Sequence, residues 1–169
     1  MQTTVKLYVY GYREVRTYLA ASLFVLGNIA LPQFFHLFPQ GGVTWLPIYF
    51  FTLVGAYKYG WKVGLLTAVL SPLVNSALFG MPPATALPAI LLKSGLLALA
   101  AGFTAHRYRK VSVYLLLVVV LSYQTIGTLG ELIIKGNFYL AVQDFRIGIP
   151  GMLLQVFGGY FFINRLIRK

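Results

Sequence analysis

The chain has 169 residues, of which 59% are hydrophobic and only 10% charged, against roughly 25% charged in a soluble domain. That composition excludes an ordinary soluble fold and points to an integral membrane protein. The formal net charge is +11 at pH 7, and cysteine is absent, which excludes disulfides, thiolate metal sites and a cysteine nucleophile.

The first 15 residues read as a short amphipathic lead. Lys6, Arg13 and Arg16 followed by an apolar run resemble a signal peptide, but no small-x-small cleavage site precedes Pro32. The run is therefore expected to be a first membrane helix over 16–36. Pro39-Gln40-Gly41-Gly42 turn the chain into a short aromatic helix over 43–57, which carries Trp45, Tyr49, Phe50 and Phe51. After a loop come two apolar arms, 62–79 and 84–105, joined by the elbow Phe79-Gly80-Met81-Pro82-Pro83. Each arm is about 20 residues, the length that crosses a hydrocarbon core of ~30 Å. The loop 106–110 leads into a fifth helix over 111–134. Lys135-Gly136-Asn137 then turn the chain into a sixth over 138–163. The expected fold is a single all-α transmembrane domain, residues 1–169, with six transmembrane helices.

The basic residues are unevenly placed on that plan. Lys6, Arg13, Arg16, Lys58, Lys62, Arg107, Arg109, Lys110, Arg165, Arg168 and Lys169 fall on one side, and Lys135 on the other. The positive-inside rule then makes both termini cytoplasmic. It also accounts for the high net charge without nucleic acid, for which no groove-reading motif is present.

Two basic residues, Lys93 and Arg146, are left inside expected spans. Lys93 lies nine residues into its helix, roughly 15 Å deep, where a lysine costs on the order of 2.5–3.5 kcal/mol. Other polar residues gather at the outer level. Asn28, Gln33 and His36 lie in the outer half of the first helix and Asn75 near the outer end of the third. Gln124, Thr128 and Glu131 share one face of the fifth, and Asp144 and Arg146 lie two turns into the sixth. Lipid cannot satisfy such groups. They are expected to line an outward-facing pocket that binds a small polar molecule. Lys93 and Arg146 would meet one part of it, Glu131 or Asp144 another, and Trp45 and Tyr49 would cap a ring. The competing reading pairs Lys93 with Asp144, and Glu131 with Arg146 or Lys135, as interhelical glue. His36 and Lys135 then become interfacial anchors. Small residues, Ala98 with Gly102, Ala101 with Ala105, and Gly148, Gly151, Gly158 and Gly159, allow close helix approach, mainly for internal packing.

The sequence lacks GxxxxGK[ST], HExxH and GxSxG motifs, and it has three acidic residues in all. An enzyme, a metal site and a cofactor are not expected. Inverted repeats of the kind found in many secondary transporters are not evident. A binding protein with its energy source elsewhere fits these features.

The run LPQFFHLFPQGGVTWLPIYFFTLVGAYKYGWKVGLLTAVLSPLVNSALFGMPP, residues 31–83, resembles the substrate-binding S components of energy-coupling factor (ECF) transporters. The shared features are a Pro- and Gly-bearing first outer loop, an apolar second helix, a Gly-x-x-x-Gly-like turn (Gly60 to Gly64) and a Pro-containing outer elbow. The resemblance implies capture of a small water-soluble vitamin or related micronutrient from outside, in a bacterial or archaeal cell membrane. It also implies partners, a transmembrane coupling protein and two cytoplasmic ATPase subunits. Family sites use the first and third outer loops and the outer halves of helices four to six. That maps onto 33–45, 79–83, Lys93, Gln124, Glu131, Asp144 and Arg146. The Ala-x-x-x-Ala docking motif of the family is not clean, since Ala20 and Ala21 are followed four residues on by Phe24 and Val25. Because Lys93 is the deepest charge, the expected ligand carries an anionic group, held by a charge-assisted hydrogen bond. The alternative is a membrane scaffold of related fold (MreD-like), which binds protein partners instead of a small molecule. It predicts a closed Lys93–Asp144 pair with no cavity above it.

Overall fold

A computed structural model describes residues 3–4 and 7–167. Lys6, Arg168 and Lys169 lie outside the described residues. The described chain is almost wholly helical. Strand β1 (Thr3–Thr4) is followed by α1 (Val15–Phe35), α2 (Gly41–Trp45), a 3-10 turn (Pro47–Tyr49) and α3 (Phe50–Tyr59). Then come α4 (Trp61–Phe79), α5 (Leu87–Tyr108), strand β2 (Lys110–Val111) and α6 (Val113–Lys135). The last stretch is broken into α7 (Phe138–Ala141), α8 (Gln143–Ile147), α9 (Ile149–Leu153), a π-helical turn (Leu154–Gly158) and α10 (Gly159–Ile167).

Four helices, α1, α4, α5 and α6, are long and apolar enough to cross a membrane. They correspond to the first, third, fourth and fifth expected spans. Local chemistry sets their ends. Gly80 and Gly136 adopt left-handed geometry, at φ 66° and 62°, and stop α4 and α6. The Ser112 side chain accepts the Leu115 N–H at 3.1 Å and starts α6.

The second and sixth expected helices are not continuous, which corrects the ranges 43–57 and 138–163. Leu46 sits at φ 47° immediately before Pro47. A residue before proline is pushed out of the helical region, so the helix breaks there and restarts at Phe50. In the last stretch Gly148 ends α8, and Pro150 occupies the first turn of α9, a position that suits a residue without an N–H. The fourth helix also begins later than expected, at Leu87. Lys93 is thus six residues, about 9 Å, from its helix start, not 15 Å.

The bundle is built around α3. Eight of its ten residues, Phe50 and Thr52 to Lys58, are buried, as befits a helix apolar all round. It packs against α1, α4, α5 and α10, while α6 packs against α5, the π-helical turn and α10. Small residues set the spacing. A Cβ at Gly64 would lie 2.4 Å from the Ala56 Cβ, and one at Gly102 2.6 Å from the Trp61 Cβ. Internal packing is thus the use made of the small face of α5.

Polarity is distributed as in a protein dissolved in lipid. Leu19, Leu23, Leu26, Leu78, Phe103, Tyr114, Leu129 and Ile133 are exposed, whereas Asn28, Thr67, Ser71, Asn75, Gln124 and Gln155 are buried. The N-terminal segment lies across one end of the bundle. Thr3 pairs with Val111 in a two-residue antiparallel ladder, and the Tyr8 N–H donates to the Lys58 carbonyl at 3.0 Å. This brings the ends of α1, α3, α5 and α10 together, so Arg13, Arg16, Lys58, Lys62, Arg107, Arg109, Lys110 and Arg165 share that end.

Candidate functional site

At the opposite end the bundle forms a partly open cavity of about 370 Å³. The C-terminal turns of α1 and α6, the start of α5, the elbow after α4, the break before α3 and the α7–α8 segment all contribute to it. The breaks are what make room for it. Where a continuous second and sixth helix would have filled the end of the bundle, α2 and α8 instead fold over it and pack on each other. The walls are mainly apolar (Pro32, Val43, Leu46, Ile48, Met81, Pro82), with a few polar groups, the usual make-up of a small-molecule site.

The charged residues form an alternating chain across one wall. Lys93 of α5, 2% exposed, bonds Asp144 of α8 at 2.8 Å and also pairs with Glu131 of α6. Glu131 in turn pairs with Lys135 one helical turn further along α6. Two cations and two anions compensate one another. An incoming anion therefore gains Lys93 only if Asp144 yields it. Lys135, a quarter exposed, has N–H groups left over. The glue expected from Lys93–Asp144 and Glu131–Lys135 is present, and a cavity lies beside it.

Asn28 and Asn75 show how the backbone is kept satisfied beside that cavity. Pro32, four residues after Asn28, has no N–H, so the Asn28 carbonyl lacks its helical donor. The Asn75 Nδ2 supplies one at 2.9 Å. The Asn28 side chain reaches the restarted helix, where its Oδ1 accepts the Phe51 N–H at 3.1 Å. It thus acts as the cap that the α3 N-cap residue, Tyr49, does not supply. Its Nδ2 donates to Thr52 and Ser71. Asn28 does not line the cavity, and its side chain is engaged by Phe51, Thr52 and Ser71. Asn75 does line it, and its Oδ1 is buried with no protein partner, leaving one acceptor open.

Comparison with protein families, curated proteins and solved structures finds no match to this chain. The site rests on its own geometry.

Of the residues expected to bind a ligand, Lys93, Glu131, Asp144, Asn75, His36 and Tyr49 line the cavity. The others are placed elsewhere. Arg146 lies outside on α8, with its guanidinium stacked 3.6 Å above the Tyr139 ring. It precedes the break at Gly148. Trp45 stacks on Phe35 at 5.2 Å, and its backbone carbonyl abuts Gly151. Gln33, half-buried on α1, lies outside the lining. Gln124 is fully buried below the site. There it donates to the Tyr123 hydroxyl at 3.0 Å, and that hydroxyl donates to Gln155 at 2.8 Å. The Tyr49 ring lies 5.6 Å from Tyr123 and separates this polar node from the cavity. Sequence reasoning missed Gln143 and the lining role of Lys135. The glutamine sits next to Asp144, and only the broken sixth helix turns both inward.

Proposed function

We propose that this chain is the substrate-binding subunit of an ECF-type importer, capturing a small polar micronutrient in the cavity. The observation that carries the reading is the cavity itself. It is drawn from six parts of the chain, mostly apolar, with a compensated ion cluster and one open buried acceptor at Asn75. In this reading the broken stretches before α3 and after α6 complete six spans, and both termini face the cytoplasm of a bacterium or archaeon. The concentration of cations at the end opposite the cavity supports that orientation. Release inward would need the partners the resemblance implies, a transmembrane coupling protein and two ATPase subunits. An anionic group on the ligand would take Lys93 from Asp144, whose five-residue helix α8 has no buried residue and can yield.

The scaffold reading draws support from the closed Lys93–Asp144 pair. The cavity beside that pair weighs against it, since a scaffold has no need of a recess with charged groups in its wall. Mass spectrometry of small molecules released from the gently solubilised protein decides between them. A stoichiometric ligand that rebinds wild type at sub-micromolar concentration and fails to rebind Lys93→Ala is the expected result. An empty protein that binds nothing across a vitamin panel would overturn the capture role.

A further inference from the structure

A second cavity, of about 920 Å³, lies at the basic end of the bundle, far from the one above. Its walls are Leu99, Ala100 and Phe103 of α5, Trp61 of α4, and Leu7 and Val9 of the N-terminal segment. Its inner side is closed by the contact of Gly102 with Trp61, where an added Cβ would lie 2.6 Å from the Trp61 Cβ. On the outer side Leu99 and Phe103 are 47% and 70% exposed, so the groove opens sideways, toward lipid. Its rim carries His106 and Arg109.

Length and charge together define the occupant. The groove follows α5 from Leu99 into its last turn, and Arg109 caps the helix end ten residues on, about 15 Å away, or half of a ~30 Å hydrocarbon core. It is therefore one leaflet deep, apolar below and cationic at the top. Neither rim residue, Arg109 or His106, enters an ion pair among the described residues. Among the described residues every acid–base ion pair lies at the other end, between Lys93, Glu131, Asp144 and Lys135. The acid at the basic end, Glu14, accepts the Gly11 N–H at 2.8 Å within its own turn. We propose that this groove binds an anionic phospholipid, one acyl chain lying along Leu99, Ala100 and Phe103 and the phosphate meeting Arg109 and His106. The site is independent of the capture role and serves to hold the N-terminal segment and α5 in register at the membrane surface.

The test is native mass spectrometry of the delipidated full-length protein offered equal amounts of phosphatidylglycerol and phosphatidylcholine. Phosphatidylglycerol is expected to be retained in excess. Arg109→Gln should reduce that preference about fivefold, the effect of one cation near an anionic headgroup. Arg165→Gln, at the same end but outside the groove, should leave it unchanged. Ala100→Phe, which occupies the tail path, should lower retention of both lipids. Equal retention of the two lipids by wild type would overturn the proposal. So would an equal loss in Arg165→Gln, which would mean diffuse surface charge. If Ala100→Phe abolishes self-association and leaves lipid retention intact, the groove is an interface between copies and the proposal fails.

Discussion

Replacing Lys93 by methionine keeps most of the aliphatic stem and removes the cation that Glu131 and Asp144 share. Glu131 retains Lys135, so the charge left without a partner is that of Asp144. Removing one member of a buried pair costs ~3–5 kcal/mol, because the survivor remains desolvated. The Asp144 side chain is 13% exposed and rides on a short helix, so it can turn partly outward. That places the cost near the lower figure, about 3 kcal/mol. At ~2–4 °C per kcal/mol for a chain of this size, the midpoint of thermal unfolding should fall by about 6–12 °C. The double variant Lys93→Met with Asp144→Asn removes both ends of the pair and should recover most of the loss, since a buried pair replaced by neutral groups is often close to neutral. Melting in detergent followed by tryptophan fluorescence reads this out, with Trp45 near the cavity end and Trp61 at the basic end. A single variant as stable as wild type would refute the claim that this charge cluster is desolvated. A double variant no better than the single would mean that Asp144 is not the partner that matters.

Asn28→Ala removes the bond to the Phe51 N–H and those to Thr52 and Ser71. It should cost ~2–3 kcal/mol of stability, read as a lower melting midpoint with unchanged affinity for the captured ligand. Gly151→Ala places a Cβ 2.5 Å from the Trp45 backbone carbonyl, a contact no rotamer relieves, and should destabilise by ~1–3 kcal/mol. Gly95→Ala, in the middle of α5 with nothing within 4 Å of the new Cβ, should instead gain up to ~1 kcal/mol. The same melting assay compares the two. Once the ligand is known, calorimetric titration of Asp144→Asn should show an anionic ligand bound about tenfold tighter or more, because Lys93 is released from a charge-assisted bond worth ~1.5–3 kcal/mol. Arg146→Ala should bind as wild type does, since its guanidinium is engaged on Tyr139 outside the cavity.

The all-α, lipid-facing character, the four long helices and the convergence of Lys93, Glu131 and Asp144 at one end were legible in the sequence. They follow from local quantities, namely apolar run length, glycine stops and the depth of each polar residue along its helix. The signals for the two broken stretches were also local. Pro47 forces Leu46 out of the helix, and Pro150 opens a new first turn. Against the long apolar runs that surround them, these prolines carried too little weight in the expected ranges.

Burying a polar group away from water is costly unless it finds a partner, so the sequence by itself determined that Asn28, Asn75, Gln124 and Lys93 would need partners. It did not determine by what. The partners are far away along the chain. Asn28 holds Phe51, Asn75 holds the carbonyl that Pro32 left open 47 residues earlier, and Lys93 meets Asp144 51 residues later. Whether a buried polar side chain repairs the backbone, pairs with another charge or faces open space depends on which helices touch and where two of them break. That was decided by the packing of α2 and α8 over the end of the bundle, because only folding brings such distant groups within hydrogen-bonding reach.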